Sequence, residues 1–393
     1  MIYLDNAATT KVSKEAMEAM MPFLQGQYGN PSSIYGFSDT CRKEMDNVRQ
    51  TIADGIGAKK SAIFFTSGGT EADNWALKAA MEMGKAAGKC HMITTQIEHH
   101  AILHTCQWLE KQGFEVTYLP VDEGGMVKLD ALEKAIRPDT MLISVMAANN
   151  EIGTIQPLKE IGEISKKHGI LFHTDAVQAF GHIPISVDDC HISMLSASAH
   201  KFHGPKGVGF LYVREGCRIP PMIQGGGQER GQRSGTENVA GIVGMGKAAE
   251  MAFCRMQERI EKEQGLREYL IERILLEIPY SRLNGARGQR LPNNANFSFQ
   301  FVDGAALVLL LDMNGICASS GSACSASSKG TSHVLRAIGL PDEIGRGALR
   351  LTLSEETTKE EIDTVVEVLK RCVGMLRGQS AAYRDMVCRR RRK

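Results

Sequence analysis

The pattern of apolar and polar positions changes character along the chain, and the changes mark out its organisation. Residues 14–24 and 40–56 carry apolar side chains at helical spacing, separated by the turn cluster Gly29-Asn-Pro-Ser-Ser33. From residue 62, short apolar runs at 62–65, 91–95, 116–119, 140–147, 170–173 and 192–195 predict strands. Helical patterns at 71–83, 101–112, 129–136 and 158–168 stand between them. Strand and helix repeated in this order predict an α/β domain with a mostly parallel sheet, whose ligands gather beyond the carboxyl ends of the strands. A long helical region over 239–276 follows. Beyond it, alternating segments at 296–301 and 349–353 and amphipathic helices at 304–313 and 359–376 predict a smaller α+β domain. The dense charges of 258–263 read as a solvated helix face. The crossing is placed near residue 258, giving a large domain at 13–258 and a small one built from 1–12 and 259–393.

Composition narrows the function classes. A chain of 393 residues, 43% hydrophobic, can bury a large core and support a second domain. Its net charge of +1 argues against an extended nucleic-acid or membrane surface. The basic tail Arg389–Lys393 reads as a frayed terminus. No basic, then apolar, leader opens the sequence, and the apolar run at 305–311 is too short to span a bilayer, so a cytoplasmic location is expected. Ten cysteines are scattered without a CxxC pair, which suggests neither a zinc site nor a disulfide framework, and no metal is expected.

Chemistry concentrates where the predicted strands end. The stretch Ser196-Ala-Ser-Ala-His-Lys201 leads from an apolar run into a turn broken by Gly204, Pro205 and Gly207, which holds the Lys201 amine at a cleft. An amine partly withdrawn from water can act as the nucleophile of Schiff-base chemistry. The strand at 62–65 runs through Thr66-Ser-Gly-Gly69-Thr70 into a helix, an arrangement of backbone N–H groups and helix dipole that cradles phosphate. His99, Asn150, Asp175, Gln178, Ser198 and His200 also fall at or just after strand ends. Singly, each has a plainer reading: Lys201 as a solvated lysine, Asp175 as a helix cap, His99 as a core histidine, Asn150 as a turn residue. Together they match the needs of pyridoxal phosphate: a lysine for its aldehyde, anion-binding groups for its phosphate, and a carboxylate for its ring nitrogen. Farther on, residues 225–238 form a loop rich in glycine and arginine. Cys324 lies among small residues in Ser320-Gly-Ser-Ala-Cys-Ser-Ala-Ser-Ser328, a context for an accessible thiol open to activation by nearby cations, or for a bystander cysteine in a linker.

Over nearly its whole length the sequence resembles the cysteine desulfurases of the NifS/IscS type. The resemblance is carried in order by residues 3–10, 29–32, 66–74, 98–99, 149–153, 175–178, 198–207, 230–238 and 320–324. It implies the pyridoxal-phosphate-dependent fold type I, like aspartate aminotransferase, and a homodimer with a shared active site. Lys201 then corresponds to the Schiff-base lysine, Asp175 to the partner of the ring nitrogen, Gln178 to the contact of the ring hydroxyl and His99 to the group stacked on the ring and an acid/base. Gly69, Thr70, Ser198 and His200 resemble phosphate ligands, with Thr236 supplied by the other subunit. Asn150 and Arg350 resemble the groups that hold the substrate L-cysteine. Cys324 corresponds to the sulfur-accepting nucleophile, on a long loop of the group I kind. The products implied are L-alanine and a Cys324 persulfide destined for a sulfur-acceptor protein, such as an iron–sulfur scaffold or a thiolation partner. Gln228 and Ala199 depart from the family's frequent histidine and glycine, and the tail does not resemble the scaffold-docking tail of housekeeping members. Alternatives within the fold are a selenocysteine lyase or an aminotransferase, and outside enzymes a sulfur-carrier protein that binds the cofactor without catalysis.

Overall fold

The computed structural model describes residues 1–321 and 330–391, so Cys324 lies outside the described residues. Twelve strands are described: β1 (Ile2–Tyr3), β2 (Ile63–Thr66), β3 (His91–Thr95), β4 (Glu115–Leu119), β5 (Thr140–Ser144), β6 (Leu171–Asp175), β7 (Met194–Ser198), β8 (Gly209–Val213), β9 (Ser281–Leu283), β10 (Asn294–Phe299), β11 (Ile316–Cys317) and β12 (Ala348–Thr352). Seven of them form one sheet in the order β2-β8-β7-β6-β5-β3-β4. Every pairing in it is parallel except the two that β8 makes with β2 and β7. The α/β expectation with a mostly parallel sheet therefore holds. The antiparallel strand β8 was not expected, although Val208-Gly-Phe-Leu-Tyr-Val213 is an apolar run directly after a glycine/proline turn.

Both faces of this sheet are buried, which is why its strands read as nearly continuous apolar runs. Successive residues go to opposite sides: Ile93 and Leu195 join the core that includes the Asp39–Ile56, Leu158–Lys167 and Val239–Cys254 helices. Met92 and Met194 join the core under the Gly69–Ala86 and His100–Lys111 helices. A separate cluster is built from β10, β12 and the Met256–Glu277 and Lys359–Gln379 helices, with Phe297, Phe299, Leu349 and Leu369 at its centre.

Three details differ from expectation. The strand expected at 192–195 is displaced to Met194–Ser198, which carries it directly into the Lys201 turn. The charged stretch 258–263 is not wholly solvated: Arg259 and Glu263 are buried. Arg259 donates to the Gly181 and Ala252 carbonyls, while burial lifts the Glu263 carboxyl to about 8. The tail is not frayed through 391, since the backbone of Ala381–Arg391 is helical. Among the described residues no helix is long and apolar enough to cross a membrane.

The N-terminal strand-and-turn segment ties the two cores together. The Ala7 N–H donates to Thr352 Oγ1 at 2.9 Å, and the Thr10 N–H donates to the His200 carbonyl at 2.9 Å. Residues 5–10 are thereby held against the Lys201 turn.

Candidate active site

The carboxyl ends of β2, β3, β5, β6 and β7 open on a cleft of about 510 Å³. Ten of the expected residues line it: Gly69, Thr70, His99, Asn150, Asp175, Gln178, Ser198, His200, Lys201 and Arg350. Thr236 does not; it is exposed on the loop before Asn238, outside the cleft of its own chain.

Lys201 ends the one-turn helix Ala199–Lys201 that follows β7. Its Nζ donates to the carbonyls of Ala7 at 2.7 Å and Ala8 at 2.8 Å. Gln178 Nε2 donates to the same Ala7 carbonyl at 3.0 Å. These N-terminal carbonyls were not among the expected site groups, because backbone acceptors carry no signature in side-chain chemistry.

Asp175 is the last residue of β6 and is buried, with Oδ1 accepting the Val177 N–H at 2.9 Å. Burial raises its pKa to about 6, while the Val177 N–H and the Lys201 charge pull the other way. At neutral pH it is mainly a carboxylate, facing a cleft. His99 caps the His100–Lys111 helix, its Nδ1 accepting the Ala101 N–H at 3.1 Å. That bond leaves the proton of the neutral ring on Nε2. Burial, Lys201 and the neighbouring histidines push its pKa down to about 4, so the ring is uncharged at neutral pH. His200, likewise lowered to about 4 by burial and the charges of Lys201 and Lys206, meets Thr9 Oγ1 through Nδ1 at 3.1 Å.

The opposite wall is the first turn of the Gly69–Ala86 helix. Its N-cap, Gly68, has φ of 150° and offers no side-chain cap, so the leading N–H groups are left for an anion. Ser198 lies against this turn and is buried. A Cβ at Gly69 would stand 2.5 Å from Val177 Cγ2. Gly69→Ala is therefore expected to lower the thermal midpoint by about 2–5 °C through overpacking, read by thermal unfolding.

Arg350, on β12, is buried and reaches the cleft from the other core. One terminal nitrogen donates to the Asn150 carbonyl at 2.8 Å and the other to Asp5 Oδ1 at 2.7 Å. Each terminal nitrogen keeps a second N–H, enough for a bidentate grip on a carboxylate. The backbone of Arg350 also pairs with Ser319, three residues before the undescribed segment.

The class-V aminotransferase family model matches residues 2–365. The chain belongs to this family. A cysteine desulfurase IscS from Methanosarcina thermophila is 55% identical over 379 residues, covering 96% of this chain and 93% of that protein. A solved NifS-like protein superposes with a TM-score of 0.90 at 42% identity, covering 95% of this chain and 99% of the other. A structure of SspA in complex with cysteine has a TM-score of 0.82 at 38% identity, covering 91% of this chain and all (100%) of that one. Membership of the NifS/IscS-type group agrees with the sequence resemblance, and the fold is the type I, aspartate-aminotransferase-like one.

Proposed function

We propose that the chain is a cysteine desulfurase that takes sulfur from L-cysteine, releases L-alanine and loads Cys324 with the sulfur for an acceptor protein. The observation that carries this is the convergence on one cleft of a lysine amine, a buried carboxylate and a buried arginine from the second core. The names of the relatives support the same reading.

The residues present fit pyridoxal phosphate. An uncapped helix start at Gly68–Thr70, with Ser198 and His200 beside it, suits the phosphate, and Thr236 of the partner subunit would add a ligand in a homodimer. Asp175 suits a protonated ring nitrogen, Gln178 a ring hydroxyl, and the neutral His99 ring a stacking position. When bound, the cofactor supplies an aldehyde for amines and a ring that accepts electrons from the substrate.

The chain's own groups do the rest. Arg350 and Asn150 orient the substrate carboxylate. Lys201, its Nζ already placed among backbone acceptors, moves the α-proton. Cys324 Sγ attacks the substrate sulfur: the S–S bond forms as the C–S bond breaks, the electron pair stays with carbon, and a proton completes alanine. His99 is assigned the acid/base handling of the thiol proton.

With the cofactor-loaded chain, L-cysteine and a thiol reductant, equal amounts of alanine and sulfide are expected. Cofactor binding without alanine formation would overturn the proposal in favour of a non-catalytic carrier, and turnover restricted to selenocysteine in favour of a selenocysteine lyase. Arg350→Lys is expected to raise KM for L-cysteine about 10- to 100-fold with a smaller change in kcat, since one of two charge-assisted hydrogen bonds, each about 1.5–3 kcal/mol, is lost. Steady-state kinetics at saturating cofactor check this.

A further inference from the structure

A second carboxyl lies beside Asp175 and has no part in the scheme above. Asp73 stands in the second turn of the Gly69–Ala86 helix, is 1% exposed and lines the same cleft. The helix covers the sheet face to which Leu171, Met194 and Leu211 contribute. His173 and Asp175 follow Leu171 at intervals of two and so share that face, as Ser196 does with Met194.

Asp73 has nothing there to balance a charge. Its Oδ1 makes no hydrogen bond, and the basic group beside it, His173 Nε2, is 3.7 Å away. That imidazole is already engaged, Nε2 with Ser196 Oγ at 3.0 Å and Nδ1 with Ser144 Oγ at 2.9 Å. Complete burial holds its pKa at about 3, so it is neutral. Asp175 is better placed, with a backbone N–H and the Lys201 charge in its favour. Of two neighbouring carboxyls, the one with a backbone N–H and a nearby positive charge ionises, and the one with only a neutral hydroxyl keeps its proton.

We propose that Asp73 is a positioning residue that stays protonated beside the cleft and leaves Asp175 as the one carboxylate of the pair available to the cofactor ring. The role toward the ring rests on the pyridoxal-phosphate reading; the protonation of Asp73 does not. Burial raises the Asp73 carboxyl well above its ordinary value, Asp175 and Glu98 add to the rise, and the Ser196 hydroxyl opposes it. Glu98 is itself lifted to about 8 by burial and does not supply a counter-charge.

The sign of the pH effect follows. The folded chain keeps the Asp73 proton where the unfolded chain has released it, so stability declines as pH rises from the ordinary carboxyl range through the raised folded value. Asp73→Asn keeps the shape and removes that decline. The test is thermal unfolding of the full chain at about pH 5.5 and about pH 8.5, with titration of pyridoxal phosphate at neutral pH. The fall in midpoint between the two pH values is expected to be smaller in D73N by about 2 °C or more. The variant is expected to bind the cofactor within about three-fold of wild type. An unchanged fall, or a loss of affinity of about ten-fold or more, would overturn the proposal. If D73N does not fold, D73S removes the carboxyl and is read in the same two ways. Failure of the wild-type chain to bind pyridoxal phosphate strikes the cofactor reading alone, because the melting comparison is made without cofactor.

Discussion

Lys201→Ala is expected to abolish alanine formation from L-cysteine, by about 10⁴-fold or more, and to remove the absorbance band of the lysine-bound cofactor. The size follows from two losses at one atom. In the proposed scheme Nζ is both the covalent anchor and the group that moves the α-proton, and the neighbouring His99 and His200, with pKa values lowered to about 4, are weak bases for that task. The turn itself should survive. It is fixed by backbone bonds from Phe202 and Gly204 to the Ala199 carbonyl and from Ala199 to Val208, none of which involves the lysine side chain. The Ala7 and Ala8 carbonyls lose their donor but lie at a cleft open to water, so the stability cost is about 1 kcal/mol. Absorbance spectra and alanine assays on the folded variant check the prediction. A variant with ordinary turnover would remove Lys201 from the mechanism.

What could be read in the sequence was whatever depends on local order. Strand ends are local, so Gly69, Thr70, His99, Asn150, Asp175, Gln178, Ser198, His200 and Lys201 could be collected by one topological rule, and all nine line one cleft. Arg350 could not be collected that way. It sits on a strand of the other core, and only the resemblance to known relatives singled it out; its ion pair with Asp5 joins residues 345 positions apart. Asp73 was invisible for a different reason. An acidic residue near a helix start usually reads as solvated and dipole-compatible, and only the packing of that helix on β6 and β7 reveals a buried carboxyl without a counter-charge. Glu263 shows the opposite error, since a run of charges gave no sign that its helix turns two of them, Arg259 and Glu263, inward. Thr236 belongs to neither class: a residue proposed to act in a partner's site would leave no trace in the geometry of its own chain.

The second large effect is expected at Cys324, whose replacement by alanine should lower sulfide and persulfide formation by about 10³-fold or more while leaving cofactor binding intact. The described residues on either side of the segment support this. Ser319 pairs with Arg350 in both directions, at 2.6 and 3.2 Å, and Arg350 lines the cleft. On the far side, His333 Nε2 meets the Glu98 carbonyl at 3.0 Å, next to His99. The described residues Ser319 and His333 are thus bonded to Arg350, which lines the cleft, and to the residue before His99, which also lines it. Cys317, on β11 before this anchor, is the natural control, and Cys317→Ala should keep turnover within about two-fold. Mass spectrometry after one turnover should find a single added sulfur on Cys324 in wild type and in C317A, and none in C324A. Added sulfur retained by C324A, or lost in C317A, would place the acceptor thiol elsewhere. Because the anchors belong to the cleft and not to the thiol, the C324A chain should still bind L-cysteine, and the split between retained binding and lost transfer separates a missing nucleophile from a damaged site.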